Sequence, residues 1–77
     1  MRDDEFEWDD DKALRNERKH DVSFWTAPLA LADPWALDVE DPDPDEERWN
    51  RTCVYAALMY VVNYTDRGRR IRIISAR

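Results

Sequence analysis

Cysteine, histidine and glycine are nearly missing from this 77-residue sequence, at one residue each. A lone Cys53 forms no internal disulfide, and Cys53 with His20 falls short of the ligand set of a structural zinc site. With Gly68 as the only glycine, the chain has no Gly-rich phosphate loop and no nucleophile elbow. The longest apolar run, Val54 to Val62, is far below the ~20 residues that cross a membrane. The start, Met1-Arg2-Asp3-Asp4-Glu5, is charged where a secretory leader is apolar. The chain therefore reads as soluble and cytoplasmic, with no membrane partner. Its length builds a single core. Aromatic burial has to stabilise that core, since the sequence carries four tryptophans, three tyrosines and two phenylalanines.

The formal net charge is −6, which taken alone argues against a nucleic-acid partner. The distribution of that charge argues the other way. Residues 1–11 hold seven acids against one base, and residues 38–47 hold seven acids and no base. Residues 66–77 hold five arginines against one aspartate, a local +4. An arginine-rich strand is a candidate phosphate contact, whereas acidic loops are usually just solvated. Neither Asp9-Asp10-Asp11 nor Asp41, Asp43 and Asp45 has the central glycine and closing glutamate of a calcium loop, so no metal or cofactor is expected.

Phe6-Glu7-Trp8 alternates as a short strand does. Asp9 is an N-cap for a helix through His20, with acids in its first turn and Arg15, Arg18, Lys19 and His20 towards its end, matching the helix dipole. Ala13 and Leu14 are its only apolar anchors. Ser23 predicts a second, apolar helix through about Leu31, in which Pro28 would cost a hydrogen bond. Trp35 to Val39 reads as a strand, and Asp41-Pro42-Asp43-Pro44-Asp45 as a loop. Arg48 to Thr65 is rich in β-branched and aromatic residues, and makes two strands with a turn near Ala56-Ala57. Asp66-Arg67-Gly68 is a turn, and Ile71 to Ser75 the last strand. The plan is α+β: an N-terminal strand and two helices packed on an antiparallel sheet of three to four strands.

Histidine is the residue type that exchanges a proton near neutral pH, which makes His20 the natural acid or base. Lys12, Asn16, Lys19 and His20 fall at i, i+4, i+7 and i+8 and share one helix face, as an active-site wall or as a solvated stripe. Arg67, Arg69, Arg70, Arg72 and Arg77 form the basic cluster. Strict alternation would set Arg77 on the side of Ile71, opposite Arg72, unless the chain bends after Ser75. Guanidinium groups there would bind phosphate bidentately; the plain alternative is a solubilising hairpin rim.

Several of these residues stand in a familiar order. Phe6-Glu7-Trp8-Asp9, Lys12, Asn16, Lys19-His20, Val22-Ser23-Phe24, Asp33-Pro34, Glu47-Arg48-Trp49, Val61-Val62, Tyr64-Thr65, Arg67-Gly68 and Ile71 to Arg77 resemble the BrnT ribonuclease toxins of bacterial toxin–antitoxin pairs. The resemblance implies a RelE-like domain over residues 1–77, without the helix that follows this point in the family. It also implies metal-independent RNA cleavage through attack of a ribose 2′-hydroxyl. The expected partners are an RNA substrate and a BrnA-like ribbon-helix-helix antitoxin, through which alone DNA is contacted. By matching position, His20 and Lys19 would transfer protons or touch phosphate, and Arg48, Arg72 and Arg77 would stabilise charge. Lys12, Tyr64, Arg67 and Arg70 would contact RNA. The sequence departs from the pattern at Asp21 and Cys53, where the family carries glycine, and at Trp25, Thr26 and Pro28, where it carries acids. A non-catalytic module that only binds its partner remains the competing expectation.

Overall fold

The computed structural model describes residues 1–77. Its elements are β1 (Phe6–Glu7), α1 (Asp10–His20), α2 (Ala27–Leu31), β2 (Leu37–Asp41), β3 (Arg48–Tyr55), β4 (Leu58–Arg67) and β5 (Arg70–Ala76). The α+β plan holds, but the sheet is mixed and has five strands in the order β1-β5-β4-β3-β2. β2 to β5 form an antiparallel meander, and β1 joins it in parallel on the outer edge of β5, Phe6 opposite Ile71 and Glu7 opposite Arg72. A two-residue strand gives almost no alternation to read, so this pairing was invisible in the sequence.

Capping fixes α1. The Asp9 carboxylate accepts from the Lys12 N–H at 3.0 Å, satisfying one of the orphan donors of the first turn. At the other end Asp21 adopts the left-handed conformation, φ 57°, with its N–H on the Glu17 carbonyl. This is the position where the resembling family carries glycine, and such a helix terminus favours glycine because the missing Cβ removes the strain of that conformation. Leu14, read as an anchor, is half exposed. The helix is tied down instead by buried Asn16. Its amide donates to the Ala76 carbonyl at 2.7 Å and to the Val22 carbonyl at 3.1 Å, while its oxygen accepts from the Ala76 N–H at 3.1 Å. Asn16 thus pairs with β5 where β1 has ended, as a neighbouring strand would.

The second helix begins later than Ser23 predicts. Residues 24–26 form a turn, with the Ser23 hydroxyl accepting from Trp25 N–H. The helix itself starts at Ala27, so Pro28 lies in its first turn and costs no hydrogen bond. The third hairpin is also displaced: its turn is Gly68-Arg69, Gly68 at φ 64°, with Arg67 opposite Arg70. Ala56 and Ala57 make the two-residue turn of the second hairpin, both at positive φ.

The segments flanking α1 and helix α2 pack on one face of the sheet, while α1 lies beside the β5 edge with Ala13 partly buried against the core. Trp8, Phe24, Ala27, Ala30 and Leu31 meet Cys53, Val62, Tyr64, Ile73 and Ala76. Trp8 stacks edge-on against Phe24 and Trp25. Burying Phe24, Val62 and Ile73 stabilises the fold by about 1.5–3 kcal/mol each. The aromatic reading holds for Trp8 but not throughout, since Trp25 is 65% and Trp35 87% exposed. No helix is long and apolar enough to cross a membrane.

Candidate functional site

A β-bulge decides where the last arginines point. Tyr64 faces Ile73 and Asn63 faces Ser75, leaving Ile74 as the extra residue of β5. One inserted residue resets the alternation. Arg72, opposite Thr65, Ser75, opposite Asn63, and Arg77, paired through both backbone groups with Val61, therefore share the face that carries no helix. The bend needed to unite Arg72 with Arg77 exists, one residue earlier than alternation required.

Where α1 passes β5, Lys12, Arg15, Asn16, Lys19, His20, Ile74 and Ser75 line an open cleft of about 220 Å³. Lys12, Arg15 and Lys19 are exposed, and His20 is half-buried. None of the three cations has a carboxylate within ion-pair distance. Three free cations beside a histidine and a hydroxyl suit a phosphodiester: charge for the non-bridging oxygens and a group for proton transfer. Ser75 belongs both to this cleft and to the Arg72–Arg77 row, with Arg77 about 7 Å further along the strand. A larger concavity, about 490 Å³, lies elsewhere between Phe6, Trp25, Pro28 and Leu29. Its rim of Asp3, Asp4 and Glu5 would repel a polyanion, so size and chemistry point to different places and the chemistry decides.

The structure brings Lys12, Lys19 and His20 together in the cleft, and Arg77 follows two residues after Ser75 of its lining. The other sequence-derived residues lie apart or are already occupied. Arg72 donates to Glu7 at 2.8 Å. Arg70 donates to the Asp3 carbonyl at 2.7 Å. Arg48 pairs with Glu46 at 2.7 Å and Asp43 at 3.2 Å, and Arg67 reaches Glu46 at 3.5 Å. The Arg48 bond holds the Glu46 carboxyl below its usual range, and the bonds from the Asp45 and Glu46 N–H groups do the same for Asp43.

Tyr64 offers no ring face to a stacked base, being buried on the helix side. Its hydroxyl donates to Asp38 at 2.9 Å and accepts from Arg51 at 3.1 Å. Arg51 also makes a fork with Asp38 at 2.8 and 2.9 Å and donates to the Leu31 carbonyl at the end of α2. Burial, then the bond to Asp38, pushes the Tyr64 phenol up to about 12. The Arg51 bonds hold Asp38 low, and Asp38 in turn raises Arg51. Arg15, Ser75, Asp38 and Arg51 are absent from the sequence-derived set, which gave Tyr64 a different role. Arg15 alone had a signal there, lying three residues after Lys12 and four before Lys19.

A comparison with protein-family models matches residues 8–77 to the ribonuclease toxin, BrnT, of type II toxin–antitoxin systems. A search of curated proteins gives no match. The match spans nearly the whole chain, so this chain belongs to the BrnT family of ribonuclease toxins, whose members pair with an antitoxin.

Proposed function

We propose that this BrnT-family chain is a cytoplasmic, metal-independent endoribonuclease whose site is the α1–β5 cleft and the arginine row beside it. The observation that carries the reading is the convergence of unpaired Lys12, Arg15 and Lys19 on His20 and Ser75, in a chain whose net charge is −6. The RelE-like mechanism implied by the resemblance fits that group. His20 takes the 2′-hydroxyl proton as the oxygen attacks the adjacent phosphorus. Lys12, Arg15 and Lys19 bind the non-bridging oxygens as their charge grows. Arg77, and Arg72 once released from Glu7, add to that charge. The 5′-oxygen leaves with a proton, Lys19 being the nearest donor by sequence, and the products are a 2′,3′-cyclic phosphate and a 5′-hydroxyl. Arg48, Arg67 and Arg70 extend the backbone track on the open face, and Tyr64 acts from beneath the sheet by fixing Asp38 and Arg51. The antitoxin in this reading is a ribbon-helix-helix protein that binds DNA on the pair's behalf.

The ion pairs of Arg48 and Arg72 favour one competing reading, a toxin-like module that binds its partner and cuts nothing. The test is induced expression without a partner, comparing growth and RNA integrity for wild type, Arg72→Ala and the double variant Lys19→Ala/His20→Ala. Growth arrest with RNA fragmentation, lost in the double variant, is expected. Normal growth with soluble, folded wild type would leave only the binding module.

A further inference from the structure

One edge of the sheet is closed and the other is open. The β5 edge is occupied by β1 and then by the Asn16 amide. β2 pairs with β3 on one side only, and no backbone group of Leu37–Asp41 bonds to anything else. Its side chains divide cleanly. Leu37 and Val39 lie on the helix-free face, 71% and 64% exposed, and are continued by Thr52, Val54 and Met59 on β3 and β4. Asp38, already paired with Arg51, and Glu40 lie on the other face, and Glu40, Asp41, Asp45 and Glu47 of this edge and its loop have no ion-pair partner. Trp35, 87% exposed, stands just before the strand.

We propose that β2 is an acceptor edge for a strand of a partner protein in which apolar and basic residues alternate. The partner's apolar side chains would extend the Leu37–Val39 row on the bare face. Its lysines or arginines would meet Glu40, which no cation of this chain reaches, on the other, while its backbone completes the ladder. Edge strands that only avoid contact carry charge or bends; this one also presents a row of uncovered aliphatics. A second copy does not fit. Antiparallel self-pairing centred on Val39 would set Asp38 against Glu40 twice, and like charges directly opposite repel. RNA does not fit this strand either, because the unpaired carboxylates of Glu40, Asp41, Asp45 and Glu47 repel phosphate. The inference stands whether or not the chain cuts RNA.

The test adds a capped heptapeptide alternating valine and lysine to the isotope-labelled full chain. Binding is read from tryptophan fluorescence, with Trp35→Phe assigning the change among the four tryptophans, and from amide hydrogen exchange. Expected are saturable binding and at least tenfold slower exchange at alternate β2 amides. Glu40→Lys, an exposed site, should weaken this peptide at least threefold and improve binding of a valine–glutamate peptide. Equal binding of a block peptide of the same composition would overturn the proposal, as would protection away from β2. So would sedimentation showing that the chain alone pairs with itself at these concentrations.

Discussion

Asn16 is the residue whose removal tests both the fold and the cleft. It is buried and makes three hydrogen bonds, two of them to the backbone of Ala76. Asn16→Ala deletes all three and strands the Ala76 N–H and carbonyl at the β5 edge. At about 1 kcal/mol net per bond, and more where a buried group is left unpaired, the loss is about 2–4 kcal/mol. A 77-residue domain has a total stability of roughly 4–12 kcal/mol, so this is a large fraction. Urea unfolding should show it directly, and the thermal midpoint should fall by roughly 4–8 °C for each kcal/mol. Asn16→Asp separates the bonds from the shape. The new carboxyl can accept from Ala76 N–H but, when ionised, faces the Ala76 and Val22 carbonyls without a donor. Burial then raises its folded pKa above the unfolded value of about 4. Its protonated form is therefore the compatible one. The deficit should be smallest below about pH 4 and grow as pH rises through the raised value, whereas that of Asn16→Ala should not depend on pH. A loss under about 1 kcal/mol for Asn16→Ala, or a pH-independent Asn16→Asp, would refute the role given to this amide.

The turn of the second hairpin places alanine at two positive φ angles, 51° and 65°. Replacing Ala56-Ala57 with Asn-Gly, the favoured pair for such a turn, should stabilise the protein by about 1–2 kcal/mol in calorimetry. Asp38 is held below its ordinary value by its bonds to Arg51 and Tyr64. A depressed folded pKa contributes stability above the unfolded value of about 3.9, lost as pH falls through the lower folded one. Acid unfolding followed by tryptophan fluorescence should therefore lose part of its pH dependence below about pH 4 in Asp38→Asn. Tyr64 behaves in the opposite sense: with its phenol raised to about 12, its contribution is present below about pH 10 and lost as pH climbs through 12. Tyr64→Phe should remove the most alkaline step of the ultraviolet titration.

Local chemistry made much of this protein readable one residue at a time. The Asp9 cap, the charge gradient of α1, the Ala56-Ala57 turn and the β-branched run after Arg48 act within a few residues, so the sequence alone settled an α+β chain. Order and spacing likewise carried the family, because Lys19-His20 and the closing Ile-Ser-Ala-Arg keep their places whatever surrounds them. The tertiary structure decided what depends on distant partners. A strand of two residues became a parallel edge only because β5 offered a free side. The single residue inserted at Ile74 turned Arg77 to the side of Arg72, and a bulge leaves no mark in a pattern of alternating side chains. Charge followed the same division. Counting found a +4 segment, but only folding showed that two of its arginines, Arg67 and Arg72, meet carboxylates from the distant loop before β3 and from β1, while Lys12, Arg15 and Lys19 remain free. Whether a cation is free is set by what lies within a few ångströms of it, and residues 65 positions apart, such as Glu7 and Arg72, become neighbours only in three dimensions.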